Sequence, residues 1–161
     1  MSQYIPAACI QKTAGTWTTT ISSNTVGDVR SAAAAAFTLI IPIIIPSNAA
    51  AYKGARLKSI DVCYKIATKD ATDFATVELE KQAFPADTVA VSAAAVAVTL
   101  DANHNTAAKR YAQGSHTMTV ALNTPAWIDD NDVYLLQLVV SAADTTVFTL
   151  WGARANFDLR V

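Results

Sequence analysis

The chain has 161 residues, 52% of them apolar and only 16% charged, with a formal net charge of −1. That length is one domain's worth and can bury a sizeable core. The Lys and Arg residues are scattered, with no run beyond Lys109-Arg110, so the basic stripe that a nucleic-acid partner needs is missing. An average soluble domain is about a quarter charged; this surface should be unusually neutral, and copies of the chain should repel one another weakly.

Residues 1–35 stand apart from the rest. Gln11–Val29 is rich in Thr, Ser, Asn and Gly, and an Ala run follows at 32–36. Such a segment has little to bury by itself, so residues 1–35 read as an extended N-terminal arm or edge segment ahead of a domain over 36–161. Its strand-like piece is Trp17–Ser22, a first edge strand if not part of an arm. The five alanines allow a helical turn. Nothing before Lys12 is basic, so no secretory leader is expected. The most apolar stretch, Ala32–Pro46 (AAAAAFTLIIPIIIP), is shorter than the roughly 20 residues of a membrane helix, and Pro42 and Pro46 interrupt it. No membrane partner is expected.

From Phe37 onward the chain reads as strands. Phe37–Ile45 is β-branched and almost continuously apolar, and its prolines mark an edge or bulged strand. Arg56–Ile66 alternates, with Ile60, Val62, Tyr64 and Ile66 opposite Ser59, Asp61, Cys63 and Lys65. Phe74–Gln82 sets Val77, Leu79 and Lys81 against Thr76, Glu78 and Glu80. A period of two marks a half-buried strand. Ala90–Leu100 is Ala- and Val-rich, Asp101–Thr106 forms a turn, and Ala107–Gln113 is a short helix or loop. His116–Leu122 alternates again. Asp129–Asp132 is a turn before Val133–Ser141, which keeps Tyr134, Leu136, Leu138 and Val140 in register. Val147–Trp151 and Arg154–Val161 end the chain, the latter with Ala155, Phe157, Leu159 and Val161 inward. About eight or nine closely spaced strands predict an all-β, antiparallel β-sandwich of jelly-roll type. An immunoglobulin-like sandwich is the rival, although the Cys–Trp–Cys arrangement is missing.

Catalytic signatures are weak, and the expectation is a non-enzyme without cofactors. His104 sits in a turn and His116 near a strand start, with no partner at metal-ligand spacing; a catalytic base needs a positioned partner. The glycines at 15, 27, 54, 114 and 152 are isolated, so no phosphate loop forms, and no Gly-x-Ser-x-Gly turn is present. Cys9 and Cys63 read as free thiols, a disulfide between them staying open. Asp129, Asp130 and Asp132 make an oxygen-rich loop that offers a calcium alternative; the plain reading is a solvated turn. Glu78 and Glu80 share a strand face, where two carboxylates can serve a glycosidase, but Lys81 and Lys65 point to a neutralised exposed face. Trp151 reads as core. Trp127 lies in a loop or strand entry and is the anchor of a glycan-binding alternative. Trp17, in a polar segment, suits an intermolecular contact.

Ile43, Ile44 and Ile45 are consecutive β-branched residues. Successive side chains of a strand point to opposite faces, so this strand needs burial on both sides. The N-terminal segment or a neighbouring subunit supplies the second cover. The interface expectation is therefore Trp17, Ile21, Pro42, Ile43, Ile44, Ile45 and Pro46, helped by small Ala-rich surfaces at 32–36, 49–51 and 93–95.

Three stretches, Leu57–Thr68 (LKSIDVCYKIAT), Trp127–Val140 (WIDDNDVYLLQLVV) and Thr146–Val161 (TVFTLWGARANFDLRV), together resemble uncharacterised tailed-phage β-sandwich proteins of the virion surface. They carry strand pattern and no functional residue. The resemblance implies a capsid decoration (cement) protein: a homo-oligomer, taken as a trimer, bridging the major capsid protein lattice on the virion. An adhesion module or an extracellular filament subunit using strand donation are the alternatives.

Overall fold

A computed structural model describes residues 1–22, 25–46, 54–68, 74–84, 90–142 and 145–159. In chain order these form β1 (Ser2–Pro6), a 3-10 turn (Ala7–Cys9), β2 (Gln11–Lys12), β3 (Trp17–Ser22), β4 (Thr25–Arg30), β5 (Ala36–Ile43) and β6 (Ala55–Ile66). Next come β7 (Thr76–Ala83), β8 (Ser92–Val96), β9 (Val98–Leu100), α1 (Ala107–Arg110), β10 (Gly114–Trp127), β11 (Asp132–Ser141) and β12 (Phe148–Leu159).

The strands pair antiparallel into two sheets. The seven-stranded sheet runs β3-β4-β12-β6-β10-β9, with β1 also paired to β12, and the five-stranded sheet runs β2-β5-β11-β7-β8. This is the all-β, antiparallel sandwich that the alternation predicts. Ile60, Val62, Tyr64 and Ile66 of β6 are fully buried, as are Leu136, Leu138 and Val140 of β11 and Leu39 and Ile41 of β5. These inward rows interdigitate into one core with Met118 and Val120 of β10 and Phe148, Leu150 and Ala155 of β12. Leu159 departs from the inward row expected of the last strand and is 36% exposed; Val161 lies outside the described residues.

The strand count exceeds the sequence expectation mainly because the N-terminal segment is woven into both sheets instead of extending as an arm. β1 lies along β12 from Ser2↔Asn156 to Pro6↔Gly152. β2 then crosses to pair Gln11 and Lys12 with Ile40 and Leu39 of β5. β3 and β4 return as a hairpin whose β4 pairs with Phe148–Leu150. Two apolar anchors hold the segment, Ile5 and Ile10, both 3% exposed. Gly152 makes the β1 contact possible. Its φ is +136°, and a Cβ there would lie 2.5 Å from the Ile5 carbonyl oxygen, an approach only glycine permits.

The Ala run forms no helix. Residues 31–35 are irregular and wrap the buried Arg30 guanidinium. Its Nη1 donates to the carbonyls of Ser31 (3.4 Å) and Ala33 (3.2 Å), and its Nη2 to that of Ala35 (3.1 Å). The same guanidinium lies 4.7 Å from the Phe37 ring centre. The cation replaces the backbone bonds a helix would have made.

Candidate functional site

The structure scatters the expected interface residues over the core, β5 and the residues just past it, and the tip of the β3–β4 hairpin. Ile43 and Ile45 are buried, at 6% and 8% exposed, while Ile44 is 62% exposed. Ile44 and Ile45 lie just past the end of β5, and the three isoleucines alternate, Ile43 and Ile45 inward and Ile44 outward. Pro46 is exposed, and its carbonyl accepts from the Ala55 N–H at 3.1 Å. Pro42 is half-buried on β5, where β2 no longer runs alongside, so the N–H that proline lacks is not missed there.

Register extends the outward patch across the sheet. Pro42 is opposite Leu135, and Ile40 is opposite Gln137. β11 adds Val133, Leu135 and Val139, all half-buried on this face. On the far side, Glu80 is opposite Leu135 and Glu78 opposite Gln137. The result is an outward face on which Ile40, Pro42, Val133, Leu135 and Val139 stand among Thr38 and Gln137, with carboxylates along one border and Ile44 just past the end of β5. Lys81, expected to neutralise that border, points elsewhere: its ammonium is 2.5 Å from Asp132 on the other side of the strand.

The outer face of the seven-stranded sheet is polar and tied together. Asp61 of β6 is only 6% exposed. It accepts from Thr119 Oγ1 (2.8 Å), Arg154 Nη2 (2.7 Å), Arg154 Nε (3.1 Å) and Asn156 Nδ2 (3.0 Å). Burial pushes its carboxyl up, but the hydrogen bonds from Asn156, Arg154 and Thr119 outweigh burial and hold it below the usual carboxylate range. On the neighbouring β3–β4 hairpin, Asp28 pairs with Lys12 at 2.7 Å and accepts from Thr19 at 2.7 Å. It is also held low against burial.

At one end of this sheet lies a chain of titratable groups. Asp101 Oδ2 is 2.8 Å from His104 Nδ1, His104 Nε2 is 3.1 Å from His116 Nδ1, and His116 Nε2 is 2.8 Å from the Ala112 carbonyl. His104 is 6% exposed. The pair borders a shallow cavity of about 420 Å³ lined by Asn103, His104, Lys109, Ala112, Ser115, His116 and Thr117. All four ring nitrogens are engaged within the chain. Burial pushes the Asp101 carboxyl up, yet the Thr119 N–H, His104 and the Asn103 N–H together keep it low.

The other sequence candidates are dispersed. The Trp17 ring packs within the chain, its centre 5.4 Å from Phe37 and 6.4 Å from Phe148, and its Nε1 donates to the Ala14 carbonyl at 3.1 Å. Ile21 is 79% exposed at the hairpin tip, opposite the exposed Val26. Trp127 ends β10 at 42% exposed, with the Arg56 guanidinium 5.7 Å from its ring centre. The Asp132 carboxylate pairs with Lys81, and among the described residues no group of three or more His, Cys, Asp or Glu is placed to hold a metal ion. Cys9 and Cys63 are free thiols. Of the Ala-rich stretches, 49–51 lies outside the described residues. Among the described residues no helix is long and apolar enough to cross a membrane.

Sequence reasoning missed Val133, Leu135 and Val139, although the signal was present: β11 is apolar on both alternating faces. Compared with known proteins, the chain matches no family model and no curated relative.

Proposed function

We propose that the protein is a non-enzymatic structural subunit that assembles with its own copies through the outer face of the five-stranded sheet. The observation that carries this reading is the stripe from Ile40 to Ile44 and from Val133 to Val139. A sandwich needs one apolar face per sheet, and this sheet carries apolar side chains on its outer face as well. Burying such a stripe stabilises by about 25 cal/mol per Å² before the costs of association. A net charge of −1 opposes self-association little.

The setting we propose is the virion surface, as a capsid decoration protein bridging a lattice of major capsid protein, with a trimer as the working assembly. Support comes from the resemblance of the three quoted stretches and from connectivity. Setting aside the extra strands β1, β2, β3 and β9, the orders β4-β12-β6-β10 and β5-β11-β7-β8 favour the jelly-roll reading, an architecture found in viral capsid proteins. That link is analogy of fold.

Size measurement in solution by light scattering tests the assembly. The wild type is expected to associate and Ile44→Asp to be monomeric; a wild type that stays monomeric at high concentration would sink the reading. Imaging of native particles tests the setting. A second reading, glycan binding, draws on the exposed Trp127 ring. Binding on a glycan array that is lost in Trp127→Ala would favour it.

A further inference from the structure

The two histidines are built to share one proton. The count follows from their partners. Asp101, held as a carboxylate by the Thr119 N–H (2.8 Å) and the Asn103 N–H (2.9 Å), can only accept, so His104 Nδ1 must carry a proton. The Ala112 carbonyl can only accept, so His116 Nε2 must carry another. Two neutral imidazoles have then spent both their protons, and lone pairs face each other across 3.1 Å. One further proton turns that repulsion into a hydrogen bond. A fourth would set two N–H groups against each other. The count does not depend on which ring is assigned the charge.

The groups facing the pair suit a single positive charge. Asp101 supplies the counter-charge. Lys109 of α1 is turned to the Ala102 carbonyl (2.7 Å) and Asn105 Oδ1 (2.9 Å), and Arg110 donates Nη1 to the His104 carbonyl at 3.1 Å. From β6, the Tyr64 ring stacks on His116 with centres 4.7 Å apart and planes 11° from parallel. Its hydroxyl donates to the Arg110 carbonyl at 2.7 Å, and burial pushes the phenol up, so it stays neutral.

The connection matters because of what it joins. Asp101 and His104 belong to the turn before α1, whereas His116 lies on β10, paired with Tyr64 of β6. We propose that a single proton held between His104 and His116 latches the Asp101–Gln113 corner to β10, and that rising pH releases the proton to solvent and loosens that corner. The latch rests on the fold and not on the assembly reading, so either can fail alone.

Imidazole-detected ¹⁵N NMR on the wild-type protein tests the count. The pair is expected to show three ring N–H protons on the acid side of the range in which imidazole changes charge and two on its alkaline side. Two on both sides would overturn the proposal. Amide exchange, corrected for its intrinsic pH dependence, tests the latch. The Tyr111 N–H, bonded to the Ala107 carbonyl at 3.0 Å, should lose protection about tenfold over the same range, the equivalent of one hydrogen bond. In His116→Phe, which keeps a ring against Tyr64, that pH dependence should vanish. An unmoved Tyr111, or the same fall in the variant, overturns the latch. If the variant does not fold, the ring N–H count on the wild type decides.

Discussion

The two outer faces of the sandwich solve opposite problems. At the centre of the seven-stranded sheet, outward polar side chains satisfy one another: Asp61 gathers Thr119, Arg154 and Asn156, and Asn156 also donates to Ser59 at 3.1 Å, although Tyr4, Ile21 and Val26 on its flanking strands are exposed. On the five-stranded sheet, the outward rows of β5 and β11 carry half-buried Ile40, Pro42, Val133, Leu135 and Val139 among Thr38 and Gln137, and Ile44, just past β5, stands 62% exposed. The polar cluster of the first face is completed by folding, while the second face leaves apolar area in water. Polar groups that are fully paired add little attraction for a partner, whereas apolar area left in water remains available for association.

That contrast can be broken at several points. The largest effect is expected from Gly152→Ala on the polar face, where the added Cβ collides with the β1 backbone; a loss of about 4 kcal/mol in denaturant stability is expected. Asp61→Ala should cost about 3 kcal/mol, because Thr119 and Asn156 lose a buried acceptor. Acid sharpens the same point. Asp28, Asp61 and Asp101 are all held below the ordinary carboxyl value. Their contribution is therefore present above about pH 4 and is lost as pH falls through their folded values. An acid titration followed by tryptophan fluorescence should show that loss, and Asp61→Asn should flatten it. Ile44→Asp should be the mildest for folding, within about 0.5 kcal/mol, yet abolish association. If it unfolds the chain, the two faces do not differ as described.

Much of this was legible in the residues themselves. The inward rows of β6, β10 and β11 follow from alternation, because a two-residue period maps directly onto sheet faces. The double apolar character of Ile43–Ile45 also translated: two residues face in and one faces out. What could not be read was long-range register. Asp61 and Arg154 are 93 positions apart and meet only because β6 pairs with β12. The segment 1–35 misleads by composition, since its Thr and Ser residues sit on an edge hairpin whose burial depends on only a few apolar side chains. His104 and His116 lacked metal-ligand spacing, and their pairing depends on how α1 turns the chain back to β10.

The short passage from β8 to β9 has a mechanical consequence. Ala97 alone separates a strand of the five-stranded sheet from one of the seven-stranded sheet, and its carbonyl is held by the Asn123 N–H at 3.0 Å. One residue spans only about 3.5 Å, so the two layers are clasped along this side like the spine of a book. Sliding of one layer over the other is blocked there, and any shear must be taken up at the opposite margin, by the N-terminal strands. A load applied to the apolar face would thus pass through the clasp to β9 and on to β10.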